Sequence, residues 1–187
     1  MGGLLSFSVG SHDAYLATRD AARRMREDLE EQIAQQQPDE VQIDFTGVQA
    51  MTISFADEFI GRVFTSLAAN DIHTGAVILT GLNTENQEAA AICLERRGLM
   101  AAAASSGQVT LLGAPSYLLD TYLHALHLVT FSALHLADEL EVTPQNMNNR
   151  LKRLAASGAL RRERSQPDRG GKEFAYAIPR LLSECPT

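Results

Sequence analysis

Between Leu140 and Pro144 the chain leaves three residues to turn one amphipathic segment into another, and this tight spacing constrains the fold more than any other feature. Leu134, Leu136, Ala137 and Leu140 give the apolar spacing of a short helix. Glu141 and Val142 make the turn, and Thr143 is a good N-cap for a second helix. Pro144 falls at the first helical position, where its missing N–H costs nothing. Met147, Leu151 and Leu154 form one apolar stripe, while Gln145, Asn146, Asn149, Arg150, Lys152 and Arg153 occupy the other faces. Gly158 is the predicted C-cap. Beyond it, Ala159–Arg164 and Lys172–Ile178 flank a turn-rich tip, Ser165–Gly171. Phe174, Tyr176 and Ile178 alternate with smaller residues, as in a half-buried strand.

The stretch Thr130–Ile178 resembles the winged helix-turn-helix domains of bacterial transcription regulators. Phe131–Leu140 matches the positioning helix, Thr143–Ser157 the recognition helix and Leu160–Ile178 the wing. The residue types suit double-stranded DNA. Asn and Gln pair with adenine edges and Arg with guanine, and a recognition helix enters the groove by its N-terminal half. That half carries Gln145, Asn146, Asn149 and Arg150. Lys152, Arg153, Arg161, Arg162, Arg164, Arg169 and Lys172 suit phosphates, which supply most of the affinity. A protein-interaction or dimerisation role for the same module stays open.

Charge divides the chain in the same place. Residues 1–140 hold 7 Lys and Arg against 18 Asp and Glu, whereas residues 141–187 hold 9 against 5. An acidic body with a basic end fits a regulator that touches nucleic acid through one module. Two cysteines, Cys93 and Cys185, are too few for a disulfide framework and point to the cytoplasm. The uncharged stretch Gly98–Leu119 contains glycines, serines, Gln108 and Pro115 and reads as soluble. The start MGGLLS formally fits a myristoylation pattern too short to carry weight.

Upstream, strands and helices alternate. Leu4–Val9 reads as a strand, and Ser11 or Asp13 is expected to cap a helix from His12 to about Gln35. Ala17, Ala21, Met25, Leu29 and Ile33 recur in it at four-residue steps. Val41–Phe45 is a strand with alternating apolar residues, and a turn at Thr46-Gly47 ends it. Ser54 is expected to cap the next helix, with Asp57 completing a capping box. Phe55, Phe59, Val63 and Leu67 run along that helix. Ala76–Thr80 is a second strand, and Asn83 or Thr84 starts another helix. Ala101–Gly113 reads as a small-residue linker with a short strand at Val109–Leu112. The next helix runs from Pro115 to about Val129, with Tyr117, Leu118, Tyr122, Leu126 and Val129 available to a second subunit.

Thr18-Arg19, the run Asp44-Phe45-x-Gly47-Val48 and Ser54–Glu58 resemble the STAS-like domain, a relative of anti-sigma-factor antagonists, over roughly residues 4–100. The resemblance implies a small mixed sheet backed by helices. It also implies a partner, often an ATPase-type kinase, bound where the helix after the central strand begins. In the antagonists a phosphorylatable serine stands at that helix start, and Ser54 is the matching position. Thr52, Ile53 and Phe55 depart from the antagonist pattern, so a plain N-cap is the expected role of Ser54. Asp44 and Asp57 either hold a polar loop together or grip a ligand.

No catalytic constellation emerges. His124 and His127 lie three apart on a helix without a supporting metal motif. Gly170-Gly171-Lys172 lacks the leading glycine of a P-loop, and Cys93 reads as a small core residue. The expectation is an α/β chain without enzymatic activity or cofactor. A mixed-sheet STAS-like domain (1–105) would precede a winged helix-turn-helix (114–187). The whole would be a homodimeric regulator that binds double-stranded DNA. The alternative is a partner-switching module that binds a kinase-like ATPase. Membrane association is not expected.

Overall fold

The computed structural model describes residues 3–105, 107–128, 130–164 and 174–183. Its centre is a five-stranded sheet in the order β1 (Leu4–Ser8), β3 (Glu40–Asp44), β5 (Ala76–Thr80), β6 (Ala101–Ser105), β7 (Gln108–Leu112). The first four strands run parallel and β7 closes the edge antiparallel, so this is a mixed α/β fold as expected. The stretch expected to be a linker is therefore sheet: β6 and β7 pair over five residues each. Its alanines are buried on both faces, Ala101 and Ala103 on one and Ala102 on the other. A small parallel pair, β2 (Tyr15–Leu16) with β4 (Ala50–Met51), lies outside this sheet.

Side chains alternate across the sheet. Val77, Leu79, Ala101 and Ala103 face a core with α1 (Arg19–Gln36), the helix containing Phe55, Phe59, Val63 and Leu67, and α4 (Thr84–Arg96). Ile78, Ala102 and Leu111 face the opposite way. Burial on both faces explains why Ala76–Leu79 reads as an unbroken apolar run.

Two helix starts differ from expectation. Thr18, not Ser11 or Asp13, caps α1 and accepts from the Ala21 N–H, so the residues between His12 and Thr18 lie outside the helix. Ala17 and Ala21 are exposed, and Ala22 is buried with Met25, Leu29 and Ile33. The next helix begins as α2 (Ile53–Ala56), widens into a π-helical turn (Asp57–Gly61) and ends as α3 (Arg62–Ala68). Its cap is Thr52 rather than Ser54: the Thr52 hydroxyl accepts from the Phe55 N–H at 3.2 Å.

The second sheet face is covered by the C-terminal third. This comprises α5 (Ser116–Ala125), β8 (Thr130–Ser132), α6 (Ala133–Glu139), α7 (Pro144–Ala156), β9 (Arg161–Arg164), β10 (Phe174–Ala177) and a short α8 (Arg180–Ser183). The strands β8, β10 and β9 form one antiparallel sheet in that order. The helix expected over Phe131–Leu140 is shorter, because Phe131 belongs to β8, and Leu134 points outward at 56 % exposure. The helix after Pro115 stops at Ala125 rather than about Val129. Its Leu118 and Tyr122 are fully buried in this chain's own core, so they are closed to a second subunit. The segment expected to be a wing tip, with Arg169 and Lys172, lies outside the described residues.

Between α6 and α7, Glu141 takes a left-handed conformation (φ +51°). The Leu140 and Val142 N–H groups then donate to the Leu136 and Ala137 carbonyls, ending α6. Thr143 caps α7 as expected, accepting from the Asn146 N–H at 3.3 Å. Past α7, the Gly158 carbonyl accepts from the Val77 N–H at 3.1 Å. A Cβ on Gly158 would stand 2.9 Å from that nitrogen, and its φ of +72° also favours glycine. The buried Glu40 carboxylate receives the Arg180 and Leu181 N–H groups at 2.9 and 3.3 Å, and the Arg161 guanidinium lies 3.4 Å away. The C-terminal unit is thus fastened to the sheet at both Val77 and Glu40.

Candidate functional site

Two helix starts carry the residues that the sequence singles out. On α7, Met147, Leu151 and Leu154 are fully buried against α5 and α6. At about 100° per residue, Gln145, Asn149 and Lys152 fall on the opposite side, and all three are exposed. Asn146 is exposed on the flank, where its carbonyl oxygen accepts from Arg150 Nε at 3.2 Å. Gln145 donates to Asn149 at 3.4 Å, linking the two amides along the outer face.

Arg150, expected among the base-reading residues, contacts α5. Its Nη1 donates to Thr121 Oγ1 at 3.0 Å, and its guanidinium sits 5.2 Å from the centre of the Tyr117 ring. Arg153 flanks the same ring at 5.9 Å and donates to the Tyr117 hydroxyl. Both arginines are turned back onto α5, because an aromatic face and two hydroxyls there satisfy their charge. They join α7 to α5, while Gln145, Asn149 and Lys152 remain exposed. Arg162 is exposed on β9, and Arg164 lies on the same strand. Sequence reasoning missed Tyr117 and Thr121 as partners of this helix; the signal was their spacing of four on α5, which stacks them on one face.

At the other helix start, Ser54 is exposed two residues beyond the Thr52 cap. Ile53 beside it is 43 % exposed, and Tyr15 of the neighbouring β2 is 62 % exposed. Asp57 does not complete a capping box. It lies in the π-helical turn and accepts from Arg97 Nε at 2.8 Å. The Arg97 hydrogen bond holds the Asp57 carboxyl below its ordinary pKa, against the opposing effect of partial burial. Gly61 makes room for this pair, since a Cβ there would stand 2.7 Å from Arg97 Nε. Glu58 lies 3.6 Å from Arg26, which also pairs with Glu30 at 3.0 Å.

Asp44 is bonded within its own loop and to the neighbouring strand. Its Oδ1 accepts from the Thr46 N–H (3.0 Å), the Thr46 hydroxyl (2.7 Å) and the Thr80 hydroxyl (3.2 Å). It holds the loop after β3 together. Asp44 and Asp57 thus have separate partners, Thr46 with Thr80 for the first and Arg97 for the second. Cys93 is buried, and burial raises its thiol pKa, consistent with a core residue. His124 Nδ1 lies 2.9 Å from the Asp120 carbonyl on its own helix, and no group of three or more potential metal ligands occurs among the described residues. No helix among the described residues is long and apolar enough to cross a membrane.

These features define a mixed α/β unit whose sheet is covered on its second face by the helices and the small antiparallel sheet of the C-terminal third. Residues 21–75 match the family described as a STAS-like domain of unknown function, DUF4325. The matched segment runs from α1 through β3 and the π-containing helix to the entrance of β5. No curated protein and no solved structure matches the chain.

Proposed function

We propose that this chain is a cytoplasmic, homodimeric DNA-binding transcription regulator, in which α7 enters the major groove and the STAS-like unit senses a ligand or partner. The observation that carries this reading is the outer face of α7. Gln145, Asn149 and Lys152 stand exposed directly opposite the buried stripe, on a helix joined to α5 through Tyr117 and Thr121. The amides supply bidentate donors and acceptors for base edges, and Lys152 with Arg162 supplies phosphate contacts. The excess of basic residues after Glu141, against the acidic body, gives the electrostatic footprint of such a module. Because the winged unit shares a core with the sheet, a ligand that alters the sheet's helical layer has a packed route to α7.

Binding of the purified chain to random duplex DNA across a salt series tests the reading, with selection of preferred sites as the second step. Salt-sensitive binding with a preferred sequence is expected. Asn149→Ala should relax base preference, and Lys152→Ala should reduce affinity for all sequences and lower the salt slope by about 1. Absence of DNA binding by the folded chain at low salt overturns the reading.

A second reading rests on the exposed pair Ile53 and Tyr15 beside Ser54. It assigns that surface to a protein partner such as a kinase-like ATPase, with the chain acting as a partner switch. A stoichiometric protein partner lost in Ile53→Asp, together with no DNA binding, favours it.

A further inference from the structure

Arg23, Arg26 and Arg97 are each held by a carboxylate, that of Asp20, Glu30 and Asp57 respectively. Arg150 and Arg153 on α7 have neutral partners instead. Asn146 and Thr121 accept from the first, the Tyr117 hydroxyl accepts from the second, and the Tyr117 ring lies beside both. Neither arginine forms an ion pair among the described residues, and Asp120, the acidic residue of α5, forms none with them. Residues three apart share one face of a helix, where like charges repel. Arginine stems are long enough to part into water. These two converge, with their guanidinium carbons 5.2 and 5.9 Å from one ring centre. The bonded nitrogens are Arg150 Nε and Nη1 and Arg153 Nη1, so Arg150 Nη2 and Arg153 Nε and Nη2 keep hydrogens to give among the described residues. The seam is accessible: Arg153 is exposed, Tyr117 is 40 % exposed and Arg150 is half-buried.

We propose that this seam between α5 and α7 is a phosphate-binding site, in which the guanidinia of Arg150 and Arg153 grip the oxyanion and Tyr117 holds both in place. The choice of ligand comes from the donors. A carboxylate offers its oxygens in one plane and fills the fork of a single guanidinium. A phosphate offers acceptor oxygens in several directions, so it takes donors from two guanidinia at once, and its negative charge removes their mutual repulsion. Tyr117 and Thr121 hold the side chains before the ligand arrives, so little rotamer freedom is lost on binding. A phosphate of the DNA backbone and the phosphate group of a small molecule present the same oxygens. The first source rests on the DNA reading, to which it adds a backbone grip set apart from the outer face of α7. The second stands without that reading.

Two titrations of the full chain test it, one with inorganic phosphate in a phosphate-free buffer of low salt and one with random duplex DNA across a salt series. Saturable phosphate binding is expected, weakened about tenfold in Arg150→Gln and in Arg153→Gln. Arg24→Gln, the same loss of charge on an exposed arginine of α1, leaves it unchanged. Circular dichroism checks that each variant is folded, and Arg153→Gln, at an exposed position, serves if Arg150→Gln is not. If the phosphate belongs to DNA, the two α7 variants also lower the salt slope by about 1. A slope that stays unchanged while phosphate binding is lost assigns the site to a free phosphate ligand. The proposal is overturned if neither phosphate binding nor the slope depends on Arg150 and Arg153, or if Arg24→Gln matches their effect. A chain that binds phosphate here and no DNA overturns the DNA reading alone; one that binds DNA with both arginines without effect overturns this proposal alone.

Discussion

The helices that begin after Thr52 and after Thr143 start alike and present different surfaces. In each, a threonine hydroxyl accepts from the N–H three residues on, and an apolar stripe faces inward. The first helix closes its charges on itself and its neighbours, through Asp57 with Arg97 and Glu58 with Arg26, and leaves Ile53 and Ser54 outside. The second turns its arginines back onto Tyr117 and leaves neutral amides and Lys152 outside. A cap therefore fixes where a helix begins. What the helix shows to a partner is decided by which of its polar side chains find partners at home.

The largest expected effects test whether the two helices belong to one cooperative unit. Phe59→Ala should cost about 3–5 kcal/mol and Leu151→Ala about 2–5 kcal/mol, both from fully buried positions. Because the two cores share one sheet, each should shift a single urea transition. Two separate transitions would divide the molecule at the sheet's second face. Next come the caps: Thr52→Ala and Thr143→Ala should each cost about 1 kcal/mol in thermal unfolding, and unequal losses would show that the starts are less alike than their geometry. Tyr117→Leu removes a ring stacked by two arginines and should cost about 0.5–1 kcal/mol. It should weaken DNA binding, whereas Tyr117→Phe, which keeps the ring, should retain most of the affinity.

The smallest effect is one of pH. Asp57 has a folded pKa held below its ordinary value, chiefly by the Arg97 hydrogen bond. Its contribution is thus fully present above about pH 3.9 and lost as pH falls through the lowered folded value. Asp57→Asn should be less stable than wild type at neutral pH, and the gap should shrink in acid. A gap independent of pH would mean that the Arg97 pair is not its source.

Much of this fold is legible in the residues. The turn before Thr143, the stripe on α7 and the strands at β3 and β5 all come from spacing and capping chemistry. The two four-residue stripes show where legibility ends. In a regular α-helix each four-residue step drifts by about 40°, so on α1 Ala21 rotates outward and Ala22 takes its place. Along the helix after Thr52, Phe55, Phe59, Val63 and Leu67 all stay buried, because the π-helical turn holds more residues per turn and absorbs the drift. The same spacing thus produces two backbones, and packing against α4 and the sheet decides between them. The alanine run of β6 reads as linker because alanine carries little periodic signal of its own. The role of Arg150 is hidden because a guanidinium's partner on another helix is invisible to local spacing.

Glu40 closes its contacts with residues 140 and 141 positions further along the chain. Contacts of such separation are slow to form, since the intervening loop must close before they reward it. During synthesis β3 therefore emerges long before the groups that complete it. Until they arrive, Ile78, Ala102 and Leu111 remain uncovered on the second face of the sheet. The nascent protein passes through a stage with a bare apolar sheet, and its demand for chaperones is set by how quickly the C-terminal third of the chain folds back over it.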